Sequence, residues 1–350
     1  MKIKSLIENL KNFAPLDYAE DFDNVGLIVG DDNQILQGVL ITLDTTEAVV
    51  DEAIALNCNL ILSFHPIIFL GIKKLNPKNY VNKTVIKAIK NDIAIYAIHT
   101  ALDNSFHGVN RKICDKLNLK NPQILIPKTQ TIKKLTTYVP AKNAEHLREK
   151  LFEIGAGNIG NYSNCSFNLE GQGSFEGNED SNPVIGERGK THYEKETQIN
   201  ITYAKHIENQ VLQQLFKCHP YEEVAYEIET LDNQNQHIGL GMTGEFEEAL
   251  SEDKLLKLLK DTFHTPVLKH SKLLDKPIKK VAVLGGSGAS AINNAIHSNA
   301  DVYVTSDLKY HDFFKAENKI LLIDIGHFES EQFTKELLYT YINENFTNFA

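Results

Sequence analysis

Three apolar runs of the sequence end in side chains capable of acid–base or metal chemistry. Leu60-Ile61-Leu62-Ser63-Phe64 stops at His65. Ile93-Ala94-Ile95-Tyr96-Ala97-Ile98 leads into His99 and Asp103, and Leu321-Leu322-Ile323-Asp324-Ile325 leads into His327 and Glu331. Imidazoles and carboxylates drawn from separate strands form the mixed nitrogen and oxygen donor set of zinc, manganese or iron sites. In open α/β sheets such groups gather outside the carboxyl ends of the strands. His327 and Glu331 are four residues apart, so a helix starting after Gly326 turns both the same way. One histidine at a strand end is usually a structural hydrogen-bonding residue. The recurrence at three strand ends favours a site.

Other motifs are less specific. Val281-Ala282-Val283-Leu284 runs into Gly285-Gly286-Ser287-Gly288, a strand entering a glycine-rich turn. The amides of Gly286, Ser287 and Gly288 could cradle an anion, or the glycines could simply allow a tight strand-to-helix turn. Neither a complete G-x-G-x-x-G nor a Walker A motif is present. That disfavours a dinucleotide-dependent oxidoreductase. His311 follows another strand end and is a candidate general acid or base, as is His99; a surface helix start explains the neighbouring Ser306 and Asp307 equally well. Cys218-His219-Pro220-Tyr221-Glu222-Glu223 reads as a structural turn, because adjacent residues rarely chelate one ion. No G-x-S-x-G nucleophile elbow occurs.

The elements that must position these residues alternate. Helical spacing at Ile3, Leu6, Ile7 and Leu10 gives way to strands over 38–43, 60–62 and 93–98, separated by helices from Thr46 and over 85–90. Apolar strands alternating with helices predict a parallel or mixed sheet covered on both faces. From 134 to about 235 the order becomes β-α-β-β-α-β, that of a ferredoxin-like module, with a Gly/Asn/Ser-rich stretch over 155–189. Then α/β patterning resumes: helix 253–263, strand 280–284, helix 289–298, strand 301–305, helix 310–317, strand 320–325 and a last helix from about Glu329. The expected architecture is α/β. The segments 1–131 and 236–350 form one α/β core or two paired lobes, interrupted by an inserted module over 132–235.

Composition narrows the function classes. The 350 residues suggest two or three domains, and 42% hydrophobic with 23% charged residues is ordinary globular usage. Lys and Arg number 36 against 46 Asp and Glu, a net charge of −10. That argues against broad nucleic-acid binding, which needs a basic surface. No apolar run is long enough to span a membrane, and the N-terminus lacks the apolar core of a signal peptide. Four scattered cysteines without a CxxC pair read as reduced thiols, which makes a cytoplasmic location the expectation.

Taken together, these residues resemble the GTP cyclohydrolase I type 2 homolog family, whose members hold two metal ions and form toroids. The resemblance covers most of the chain. It rests on Asp21-Phe22-Asp23-Asn24-Val25-Gly26-Leu27, His65-Pro66-Ile67-Ile68-Phe69, His99-Thr100-Ala101-Leu102-Asp103, the 285–288 turn, Lys309-Tyr310-His311-Asp312 and Gly326-His327-Phe328-Glu329-Ser330-Glu331. His219-Pro220-Tyr221-Glu222-Glu223 is similar to the longer members, which carry an inserted CutA/PII-like domain. The resemblance implies His65, Asp103, His327 and Glu331 as ligands of a divalent metal. It also implies two α/β lobes around a metal cleft, a homohexameric ring and either metal-dependent hydrolysis of GTP or a related nucleotide or heterocycle through an activated water, or a non-catalytic metal- or ligand-responsive scaffold. Phe64 stands where the family has the first of two histidines, and phenylalanine cannot coordinate a metal. Two ion sites of unequal affinity are therefore expected. Ser306 replaces the glycine common in the family's Thr-Gly-Asp.

Overall fold

Short runs of β-branched and leucine residues, each too brief for a stable helix, build the sheets of the computed structural model, which describes residues 1–346. The chain divides into two units, Met1–Pro127 with the chain from Gln236 onward, and Lys128–Asn235. In the first unit, β1 (Gly26–Val29), β2 (Val39–Thr42), β3 (Leu60–Ser63) and β4 (Ala94–Ala97) form a sheet of order β1-β4-β3-β2. Strands β2, β3 and β4 are parallel, and β1 runs antiparallel to β4. Every residue of β3 and β4 is buried, which is why they read as unbroken apolar runs rather than alternations. Ile61 and Ile95 face Val50, Ala53, Val85 and Ala88 of the helices Glu47–Ala55 and Tyr80–Lys90. Leu60, Leu62, Phe64 and Tyr96 join Ile3, Leu6 and Leu10 of the helix Ile3–Phe13 in a second core.

The same unit holds a six-stranded sheet of order β11-β14-β13-β12-β10-β5. Its strands are β5 (Lys120–Lys128), β10 (Asn235–Leu250), β11 (Lys269–His270), β12 (Ile278–Ser287), β13 (Val302–Ser306) and β14 (Leu321–Asp324). Strands β12, β13 and β14 are parallel, so their carboxyl ends share one edge. Val281, Val283, Val302, Val304, Leu321 and Ile323 belong to the core that also holds Leu60 and Leu62. One apolar core thus joins the inner faces of both sheets.

In the second unit, β6 (Ile132–Pro140), β7 (Phe167–Phe175), β8 (His192–Ala204) and β9 (Tyr226–Leu231) pair antiparallel in the order β7-β8-β6-β9. The helices Ala144–Glu153 and Glu208–Cys218 cover one face. Leu135, Val139, Leu147, Leu151, Ile199, Ile201, Val211 and Leu215 form a core of this unit alone.

Several local expectations need correction. The run expected as helix over 310–317 is a 3-10 turn at Asp312–Ala316, and the helix after the glycine turn starts as 3-10 before Ile292–His297. The last helix is two, His327–Glu331 and Thr334–Asn345. Strands β1, β5, β10 and β11 are additions to the expected set. Glycines at 239, 241 and 244 lie inside β10, where a side chain at 244 would crowd Leu119.

Candidate metal centre

The carboxyl ends of β3, β4 and β14 deliver the key side chains. His65 follows β3 by two residues, and its N–H donates to the Leu43 carbonyl (2.8 Å) while Ser63 Oγ donates to its own carbonyl (2.7 Å). His99 opens the short helix His99–Asp103 after β4, and its N–H donates to Phe64 O (2.9 Å). His327 opens the helix His327–Glu331, which places Glu331 one turn away on the same side.

Three of these residues converge. Oε2 of Glu331 lies 3.2 Å from Nε2 of His65 and 3.2 Å from Nε2 of His327, and one ligand atom from each residue falls within 4.8 Å of the others. Glu331 is 3% exposed, and its Oε2 has no partner in hydrogen-bond geometry. Two ring nitrogens and a buried carboxylate oxygen converging on one point are a donor set that suits a cation. Each imidazole is anchored at its other nitrogen: His65 Nδ1 by Asp44 (3.0 Å) and His327 Nδ1 by Asp307 (2.7 Å). Carboxylates at Nδ1 fix the tautomer that leaves Nε2 for a metal. Gly286 completes the pocket wall. Its φ of +73° suits glycine, and a β-carbon there would overlap Glu331 Oε1.

The electrostatics tie these side chains to one another. Burial alone would lower His65, but Asp44 and Glu331 outweigh it and raise its pKa to about 10. Glu331 raises His327 to about 9 against the opposing effect of burial, with help from Asp307. Burial would raise Glu331, yet the two imidazoles hold it below its ordinary value. Asp103 is 9% exposed, and burial, then the neighbouring Glu331 charge, pushes its carboxyl well up. Its Oδ1 has no hydrogen-bond partner. Asp103 is close enough for Glu331, His65 and His327 to act on it, although it stands outside the 4.8 Å group. A buried carboxyl whose charged form burial disfavours fits a ligand position for a cation.

His99 lies beside the cluster, its ring centroid 5.1 Å from that of His65, and its Nδ1 meets Asp23 at 2.8 Å. Thr100 donates to the same carboxylate from its backbone N–H (3.0 Å). Phe64 is fully buried, 4.9 Å from the His65 ring and 5.5 Å from that of His99. An apolar ring therefore packs against both imidazoles.

The remaining candidates lie elsewhere. His311 is exposed against Tyr310 and Phe314, and no contact among the described residues joins it to the cluster. The Gly286 amide donates to Ser330 Oγ (2.9 Å), the Gly288 amide to Ser306 O (3.4 Å), and Ser287 Oγ to Asp307. Two of the three amides expected to cradle an anion are thus already engaged, and the turn serves the close passage of Glu331. His219 is buried, with Nε2 donating to Tyr138 O (3.0 Å) and Nδ1 accepting from the Tyr221 amide (3.2 Å), a structural role. Sequence reasoning missed Asp44 and Asp307 as anchors. Both follow strands by two or fewer positions, Asp44 after β2 and Asp307 after β13, so the strand-end rule could have found them.

Comparisons with known proteins identify the family. The family model for Duf34/NIF3 (NGG1p interacting factor 3) matches residues 1–350. A protein of Halalkalibacterium halodurans named GTP cyclohydrolase 1 type 2 homolog is 38% identical over 326 residues, 93% of this chain and 88% of the relative. Its namesake in Bacillus subtilis is 36% identical over 338 residues, 95% of this chain and 90% of the relative. The crystal structure of a Bacillus cereus protein related to NIF3 superposes with a TM-score of 0.84 at 35% identity, covering 99% of this chain and 94% of that one.

Proposed function

The chain belongs to the Duf34/NIF3 family, and from that premise we propose that it is a metal-dependent hydrolase acting on a small nucleotide or related heterocycle, with GTP as the first substrate to try. One observation carries the reading: a centre of three converging protein ligands whose imidazoles keep contact with solvent, His65 being 23% and His327 40% exposed. Catalytic metal sites characteristically keep three protein ligands and an open position, whereas structural sites close the shell.

His65, His327 and Glu331 would hold a divalent zinc, manganese or iron ion, with Asp103 the further carboxylate beside them. Such an ion supplies Lewis acidity, polarising a substrate oxygen and making water a nucleophile near neutral pH. The chain's own groups do the rest. Asp44 and Asp307 hold the two imidazoles in register. His99, oriented by Asp23, is the group placed to take or return a proton at its other ring nitrogen. Lys269 acts on the Asp307 carboxylate and supplies a cation at the rim, which suits an anionic substrate.

Phe64 makes the centre asymmetric. The ion served by His65, His327 and Glu331 is the tight one. A second ion towards Asp103 and His99 meets an apolar ring where an imidazole would help, so it is weaker and more hydrated. The homohexameric assembly and the reading of 132–235 as an inserted CutA/PII-like domain belong to the same proposal. The separate apolar core of the second unit supports the insertion. The test is turnover of GTP and related nucleotides by the metal-loaded protein, with Asp103→Ala as the blank. Metal-dependent product formation that disappears in the variant supports the hydrolase. Tight metal binding with no turnover of any substrate supports the scaffold instead.

A further inference from the structure

Asn110 is a polar side chain in an apolar place. It lies in the first turn of the helix Val109–Lys116 and is 1% exposed, and Val109 and Ile113 of that helix belong to the core that joins the two sheets. Both ends of its amide are used. Nδ2 donates to the Asp103 carbonyl (3.2 Å), and Oδ1 accepts from the Gly285 amide (3.0 Å). Asp103 closes the short helix after β4, so its carbonyl must find a donor outside that helix. Gly285 lies near the end of β12 in the other sheet. One buried side chain thus ties the carboxyl ends of the two sheets together.

Glycines permit the approach. A β-carbon at Gly108 would overlap the Leu102 carbonyl oxygen, where the chain turns from Asp103 into the next helix. A β-carbon at Gly285 would press on Val109 Cγ1 (3.1 Å) and Ile113 Cδ1 (3.3 Å), so its absence lets that helix come within hydrogen-bond reach of the turn. Beyond Gly285 the tie continues. The Gly286 amide donates to Ser330 Oγ (2.9 Å), Ser330 Oγ donates to the His327 carbonyl (2.7 Å), and Gly286 itself lies against the Glu331 carboxylate. Hydrogen bonds and one peptide link therefore run from Asp103 through Asn110 to His327 and Glu331.

We propose that Asn110 is a positioning residue of the metal centre, setting the separation between Asp103 on the first sheet and the pair His327 and Glu331 on the second. The inference rests on the reading of this cluster as a metal centre and not on any catalysis. Asp103 Oδ1 is buried without a hydrogen-bond partner, so the place of that carboxylate depends on how its backbone is held. The position of Asn110 asks for one donor and one acceptor. Aspartate keeps an acceptor for Gly285 but has no donor for the Asp103 carbonyl, and alanine leaves both buried backbone groups unpaired.

Cobalt(II) loaded into the full chain tests it, because visible absorption of that ion reports the arrangement of its ligands. Asn110→Ala should shift the absorption bands and weaken cobalt binding by at least about tenfold, the lower end of outer-shell effects. Asn110→Asp, which retains the Gly285 bond, should shift the bands by less, and it keeps the test decisive if Asn110→Ala fails to fold. Asn82→Ala is the structural control. Asn82 is a buried amide on the helix Tyr80–Lys90, bonded to the Lys74 carbonyl (3.0 Å). Its loss should lower thermal stability comparably and leave cobalt spectrum and affinity unchanged. Cobalt bound with unaltered spectrum and affinity in both Asn110 variants would overturn the proposal and leave the metal centre standing. An equal spectral change in Asn82→Ala would also overturn it, since general loosening would then explain the effect. No cobalt bound by the unaltered chain would remove the metal centre itself, and the proposal with it.

Discussion

In the first unit, His65 stands between Asp44 and Glu331, and His327 between Asp307 and Glu331. In the second unit, six carboxylates share a cavity wall with hydroxyls, amides and rings, and with no basic group at all. The carboxylates of the two units thus stand in contrasting settings. Where imidazoles are held by acids and aimed at a common carboxylate oxygen, the geometry is fixed before a ligand arrives, and a compact ion gains most from it. Where carboxylates are spread over a cavity wall and lack counter-charges, the field is negative but not focused on a point.

The sharpest way to break this contrast is to remove imidazoles. His65→Ala with His327→Ala should lower metal affinity by more than about 100-fold, beyond the range typical of outer-shell changes, as measured by competition with a chelating dye. Retained affinity would show that the carboxylates alone suffice. Next in size is the anchor pair: Asp307→Asn should cost about 10- to 100-fold in metal affinity, with Asp44→Asn nearer the lower end because Asp44 is the more exposed. Gly286→Ala should come close behind. A β-carbon at φ +73° overlaps Glu331 Oε1, so metal affinity should fall while circular dichroism shows a folded chain. A variant that binds metal normally would show that the carboxylate has room to move.

A smaller effect separates the units by pH. Burial lowers the His219 pKa, against the carbonyl of Tyr138, which raises it. The neutral ring is favoured in the folded chain, so its contribution is complete above the unfolded value of about 6.5. It is lost progressively as pH falls from there towards the lowered folded value. Thermal unfolding of the full chain should therefore shift to lower temperature below about pH 6.5, and His219→Gln should flatten that slope. An unchanged slope would mean that His219 is not the group that titrates.

The cluster of His65, His327 and Glu331 was legible in the sequence because strand ends obey a rule. Parallel strands that are apolar throughout announce themselves, and the residues just beyond their carboxyl ends lie at one edge of the sheet. His65, His327 and Glu331 could be named on that ground. Asp44 and Asp307 obey the same rule but sit in polar surroundings, Asp44 before Thr45 and Thr46 and Asp307 after Ser306, where capping and turns explain an acid just as well. The glycine turn misled for a related reason: glycine marks close approach, but the sequence does not say whether a ligand or a side chain of the protein approaches. The cavity of the second unit was not legible at all. Its residues come from an edge strand and a Gly/Asn/Ser-rich stretch whose pattern carries no period, and only the fold sets Glu196 against Gly173.

The most direct test is elemental analysis of the purified chain after exhaustive dialysis, with Glu331→Gln and Phe64→His run beside it. The unaltered chain should retain about one divalent ion, as a three-ligand centre with a single well-served position requires. Phe64→His should raise that content, and Glu331→Gln should empty the site. Two tightly held ions in the unaltered chain would contradict the asymmetry assigned to Phe64. Undiminished metal in Glu331→Gln would contradict the centre itself.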